Sequence, residues 1–389
     1  MKKAIAIALS LLYLGCGGGG GSSSDVSDSL KTASATYVDS PVSGVEYQCG
    51  SVSGITNDTG GFIYEVGKDC IFKVGGINFK TIKSYELEDG KVILENSSVI
   101  AAFLQTLDVD GDPSNGITIT KEVRDKLKDV KITALSDDSI ENIYNELKTL
   151  PTYSGKYYTK TEALLNLIQS QTNLIKSMIS SKTLYNVSSD SNGVNINKVY
   201  INSEANAFSL ETGESLGMNI NGNLITFDNN ITAMANIYKN KISLTYMLNT
   251  LPVFSEEMFF NESDAKTYAN ELKSGEYLKA LIAGKVFYQV FQNSDGSLVL
   301  NKVTINNDAS AGMFSAVDGS RFGGTFAIKI SGNILNLHID GVNIDYKATF
   351  LGKNDNMLIL APSKNEVNIA SYMFFDESYA RKVLDSLVN

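Results

Sequence analysis

The sequence predicts an α+β, multidomain chain, and three observations carry that reading. Short apolar pulses punctuated by glycine fill residues 37–95, apolar residues at helical spacing fill 96–181, and a β-rich block occurs twice, over 182–275 and 276–389. The expected parts are a small N-terminal β-sandwich, a central helical segment and two antiparallel β-barrel-like repeats, each closed by a helix. At roughly 100–200 residues per domain, 389 residues give room for two to four domains. A hydrophobic content of 43% is ordinary and can supply real cores.

The chain opens on a targeting pattern. Met1, Lys2 and Lys3 form a positive n-region, and Ala4 to Leu14 is an apolar run too short to span a bilayer. The run ends Tyr13-Leu14-Gly15-Cys16, which resembles a bacterial lipobox, although Tyr13 stands where that motif usually has Leu. The resemblance implies that residues 1–15 are a lipoprotein signal peptide and that Cys16 carries a covalent lipid; several acyl chains give stable anchoring. Residues 16–36 then read as a flexible tether, Gly17 to Gly21 followed by Ser22 to Ser24 and a polar stretch. Gly17, rather than Asp, after the Cys favours outer-membrane sorting. The expected localisation is the outer membrane or cell surface, with the membrane reached through the lipid.

In the β-module, Val42, Val45 and Tyr47 alternate with glycines, and Gly54 to Tyr64 reads as strand, Asn/Asp/Gly turn and strand. Cys49 and Cys70 are an even pair in an exported chain, which reads as a disulfide worth roughly 3 kcal/mol. A metal pair is the alternative, but no His or further Cys stands nearby. The order Pro41-Val-Ser-Gly-Val45, Gly54-Ile-Thr56, Gly61-Phe-Ile-Tyr64 is similar to prealbumin-like modules of bacterial surface proteins. The Cys pair, Glu65-Val-Gly67 and Phe72-Lys-Val-Gly75 resemble more closely a module of exported bacterial lipoproteins. Both resemblances imply a spacer or adhesion-type part.

The helical segment repeats Val99, Ile100, Phe103, Leu104 and Leu107, then Val123 and Leu127, then Ile140, Ile143, Tyr144 and Leu147, then Leu164, Leu165, Ile168, Ile175 and Ile179. Ser136 and Thr159 supply N-caps, and Pro151 separates the last two helices.

Three blocks recur in order in the C-terminal half. Lys198-Val-Tyr-Ile-Asn202 matches Lys302-Val-Thr-Ile-Asn306, Ile220 to Ile225 matches Ile330 to Leu335, and Met258 to Ala265 matches Met373 to Ala380, at offsets of 104, 110 and 115. Each copy has about eight strand-like pulses with Asn/Gly/Asp turns, then a helix, Glu262 to Leu272 or Glu377 to Leu387, capped by Asn261 or Asp376. A meander of this kind fits an up-and-down barrel. Each copy resembles a lipocalin-like domain of small exported bacterial proteins. The usual Gly-x-Trp opening is absent; Ala283-Gly284-Lys285-Val-Phe-Tyr288 stands in its place in the second copy.

Chemistry-bearing residues are sparse. A net charge of -10 without a basic cluster excludes nucleic acid as a main partner. One His and three Cys exclude most zinc sites and most nucleophilic triads. His338 lies on a strand with alternation opposite Leu337 and Ile339, so it reads as structural or surface-exposed. Glu256-Glu257 and Glu377 are carboxylates whose spacing says nothing by itself. The sharpest motif is Asp108-Val-Asp110-Gly-Asp112, whose alternate carboxylates follow an EF-hand loop, with Pro113 where the loop glycine belongs and Glu122 able to close the set. Ca2+ bound by Asp108, Asp110, Asp112 and Glu122 is one reading; an Asx-rich turn between helices is the other. The aromatics Phe208, Phe227, Tyr246, Phe259 and Phe260, and Phe314, Phe326, Tyr346, Phe350, Phe374 and Phe375, either fill the barrels or line a pocket. The function expected is therefore non-catalytic, with no catalytic residues: a cell-envelope scaffold or adhesion-type lipoprotein with a calcium-stabilised helical segment. The alternative is a lipocalin-like binder of a small apolar ligand. A surface partner belongs to the first reading.

Overall fold

The computed structural model describes residues 30–248, 251–292, 297–319, 323–340, 344–362 and 371–388. The expected signal peptide, Cys16 and most of the expected tether lie outside them. Among the described residues no helix is long and apolar enough to cross a membrane.

The N-terminal module has two layers. One is a four-stranded antiparallel sheet in the order Val52–Ile55, Glu46–Cys49, Cys70–Val74, Ile77–Ile82. The other is a three-stranded arm with Thr32–Val38 at its centre, antiparallel to Gly61–Glu65 and parallel to Lys91–Leu94. Period-two alternation sends Tyr37, Phe62 and Tyr64 of the arm against Tyr47 and Phe72 of the sheet. Phe62 meets Phe72 edge-on at 5.0 Å, and Tyr37 lies 5.3 Å from Phe72. Cys49 and Cys70 are register partners on adjacent strands and are joined by a disulfide.

Four helices follow: α1 (Ser98–Leu107), α2 (Lys121–Lys126), α3 (Asp137–Leu147) and α4 (Lys160–Ile179). Each starts on a side chain that accepts a backbone N–H: Ser97, Thr120, Ser136 and Thr159. Helix α1 is buried from Ala101 to Leu107 and belongs to the same core as the β-module, which runs unbroken from Ala35 to Leu167. Helix α4 divides its apolar stripe. Ala163 and Leu167 enter that core, and Ile175 and Ile179 enter the first barrel.

Both repeats are closed eight-stranded up-and-down barrels, compatible with the lipocalin-like resemblance. The first runs from Thr183–Asp190 to Leu251–Phe259 and closes by pairing those two strands. The arm of the module continues its sheet, because Val92 pairs with Ile237. The second runs from Val286–Gln292 to Ser371–Phe374 and closes by pairing Tyr288 with Phe374.

The expected closing helices are present as α5 (Glu262–Ser274) and α7 (Glu377–Val388), but both lie outside the barrel walls. Phe259 and Phe374 therefore face outward, toward α5 and α7, rather than filling interiors. A helix that precedes each barrel plugs one end instead: α4 through Ile179, and a further helix, α6 (Glu276–Ile282), through Ile282. Gly275, at φ +82, separates α5 from α6; a residue with a side chain would be strained there.

The barrels meet over a set of buried and half-buried charges. Lys353 of the second barrel and Lys241 of the first both bind Glu88, at 2.7 and 3.3 Å, and Lys241 also meets Glu257 at 3.1 Å. Lys91 pairs with Asp355. Gly352 is required at this contact, since a Cβ there would overlap the Ser255 hydroxyl.

Candidate functional site

The two barrels share a fold and differ in their interiors. Side chains nearly fill the first, leaving about 20 Å³ among residues such as Ile179, Leu184 and Met218. Its upper part is packed by a run of rings, Phe208, Phe227, Tyr246 and Phe254, with successive centroids 5.6, 6.0 and 4.3 Å apart. The second encloses a cavity of about 260 Å³. Of the two readings of the aromatics, a filled interior describes the first barrel and a pocket the second.

Strand register gives the reason. Phe208 pairs with Ile201, and Gly312 pairs with Ile305, the repeat equivalent of Ile201. Phe227 pairs with Met218, and Leu337 with the equivalent Ile328. Two of the four ring positions are thus Gly and Leu in the second barrel. The ring of Phe326 folds over Gly312, and the space beyond it stays open.

The second cavity is floored by Ile282 and walled by aliphatic and aromatic side chains, among them Ile305, Phe326, Leu335, Leu337 and Met373. Its polar groups are Gln289 and Asn301, paired on adjacent strands, and Tyr346 on a strand of the opposite wall. Among the described residues no charged side chain lines it. Such a surface suits a small apolar molecule with a few polar contacts. Phe314, Phe326 and Tyr346 of the expected aromatics line it, and Phe350 is buried beside it.

The Asp-rich loop joins α1 to α2, and its side chains are held mainly by local hydrogen bonds. Asp108 is buried; its Oδ1 accepts the Thr118 N–H at 2.8 Å, and its Oδ2 has no hydrogen-bond partner. Burial, joined by the neighbouring Asp110 carboxylate, pushes the Asp108 pKa up to about 7. Asp110 accepts from the Asp112 N–H and the Asn115 amide, and Asp112 accepts from the Ser114 N–H and hydroxyl. Glu122 sits in the exposed first turn of α2, near its Thr120 cap. Among the described residues no group of three or more His, Cys, Asp or Glu side chains is gathered as a metal ion would need. Asp108 and Asp110 are in contact; Asp112 and Glu122 serve a turn and a helix start.

His338 is on the outer wall of the second barrel, half exposed, 2.8 Å from its register partner Asp345. Leu337 and Ile339 face the cavity, as alternation requires. Glu256 and Glu257 point to opposite faces of their strand: Glu256 accepts the Tyr246 hydroxyl at 3.1 Å inside the first barrel, and Glu257 accepts the Ser243 hydroxyl at the junction. Glu377 pairs with Arg381 on α7.

Sequence reasoning missed Gln289, Asn301 and Ile282. A signal for the amides was present. Offsets of 103 and 104 carry the paired Asn186 and Asn197 of the first repeat onto Gln289 and Asn301. Compared with family models and with curated proteins, the chain matches none.

Proposed function

We propose that this is a lipid-anchored envelope protein whose second barrel carries a small apolar ligand. The carrying observation is the contrast between two repeats of one fold, one filled and one with a cavity of about 260 Å³. A cavity of roughly 150 Å³ already holds benzene. The first barrel, the disulfide-linked module and the helical segment form the solid stand, and the lipid on Cys16 with its tether attaches it to the membrane. Calcium at Asp108, Asp110, Asp112 and Glu122 is part of this proposal as a stabiliser of the stand, and binding it would require these side chains to leave their turn and helix-start hydrogen bonds and gather around the ion. No step of the function is catalytic in this reading.

A surface scaffold or adhesion role is the second reading. It is favoured by large apolar side chains exposed on the N-terminal module: Ile55, Ile63, Val66 and Ile71. Native mass spectrometry of the exported, gently purified chain separates the two. The carrier reading expects a mass excess that denaturation removes and that Leu337→Phe, which restores the ring of the first barrel, abolishes. A bare polypeptide mass that also stays bare with added small apolar compounds contradicts it.

A further inference from the structure

We infer that the ligand of the second barrel is uncharged and largely apolar, with one hydrogen-bonding group seated against the side-by-side amides of Gln289 and Asn301. This rests on the carrier reading above. Sixteen of the described residues line the cavity and none of them is charged. An ion there would lose its hydration without gaining a counter-charge. The two amides are register partners on adjacent strands, so they leave the wall next to each other. Neither side chain hydrogen-bonds to another described residue. Together they offer two carbonyl acceptors and two NH2 donors to whatever occupies the cavity. Such groups in an apolar wall are unfavourable unless something answers them.

The first barrel displays the answer in its own chain. Its equivalent amides are Asn186 and Asn197, also register partners. Asn186 is buried beside the Glu256 carboxyl, which accepts the Tyr246 hydroxyl at 3.1 Å. Carried across the repeat, Glu256 becomes Ser371 and Tyr246 becomes Pro362. The second barrel keeps an amide pair, and its sequence has Ser371 and Pro362 where the first has the glutamate and tyrosine that stand by Asn186. A hydroxyl, carbonyl or un-ionised carboxyl of the ligand takes the place of the Glu256 carboxyl. Scaled from roughly 150 Å³ for benzene, the cavity suits a molecule of about ten non-hydrogen atoms.

Calorimetric titration of the full chain at pH 7 with 1-nonanol, nonanoate, nonylammonium and n-propylbenzene tests this. Nonanol is expected to bind at least tenfold more tightly than either ion. The double variant Gln289→Leu/Asn301→Leu is expected to weaken nonanol about tenfold and leave propylbenzene as tight or tighter. Leu337→Phe is expected to block both. If propylbenzene binds and Leu337→Phe blocks it, but the double variant leaves nonanol unchanged or an ion binds as well as nonanol, the inference is overturned and the carrier reading stands. If no probe binds, or Leu337→Phe blocks none, both fall.

Discussion

At the scale of single residues, buried carboxyls set how the molecule responds to pH. Asp39 is 1% exposed, and burial pushes its pKa up to about 8, although the Gln105 amide donates to both of its oxygens at 3.1 Å. Asp108 is raised to about 7 for a similar reason. A folded-state pKa above the unfolded value means that the folded chain binds more protons. The stability each group contributes is therefore complete below about pH 4 and is lost as pH rises toward 7 and 8. Glu88 acts in the opposite sense. Burial would raise it, but Lys353 and Lys241 hold it at about 2, so its contribution is lost only as pH falls from about 4.5 toward 2. Melting temperature is expected to fall between pH 5 and 8, and Asp39→Asn to flatten that slope. A wild-type slope retained in full by Asp39→Asn would remove Asp39 from the account.

At the scale of elements, local signals in the sequence map onto the structure closely. The caps Ser136, Thr159 and Asn261 start helices where their side chains accept N–H groups, and the disulfide joins the expected pair. The repeats were legible because their Asn/Gly turns and strand alternation are local. Helix α6 was not, because seven residues after a glycine hinge carry too little periodicity to separate them from α5. The Asp-rich loop is an element whose sequence points two ways. Its turn chemistry is on the page, and Asp108 Oδ2 is its one buried oxygen without a partner. Under the calcium proposal, millimolar Ca2+ raises the melting temperature by a few degrees and Asp110→Ala abolishes the rise. A melt unchanged between Ca2+ and EDTA would leave the loop as a turn only.

At the scale of the whole molecule, residues 32–389 are one compact body in which the parts share sheets and charges. The module arm extends the first barrel, and Glu88 of that module holds a lysine from each barrel. These long-range unions were not legible in the sequence. Lys241 and Lys353 look like ordinary surface lysines until the fold brings them to Glu88, and a cavity is a volume difference spread over several strands. The substitutions that open it, Phe208 to Gly312 and Phe227 to Leu337, acquire meaning only once register aligns the two interiors. The central claim is that one barrel is filled and the other holds an apolar, ligand-sized space. Crystals of the protein pressurised with xenon, which enters dry apolar cavities, test it most directly. The account predicts strong xenon density between Phe326, Leu337 and Met373 of the second barrel and none inside the first. Density in both barrels, or in neither, would contradict it.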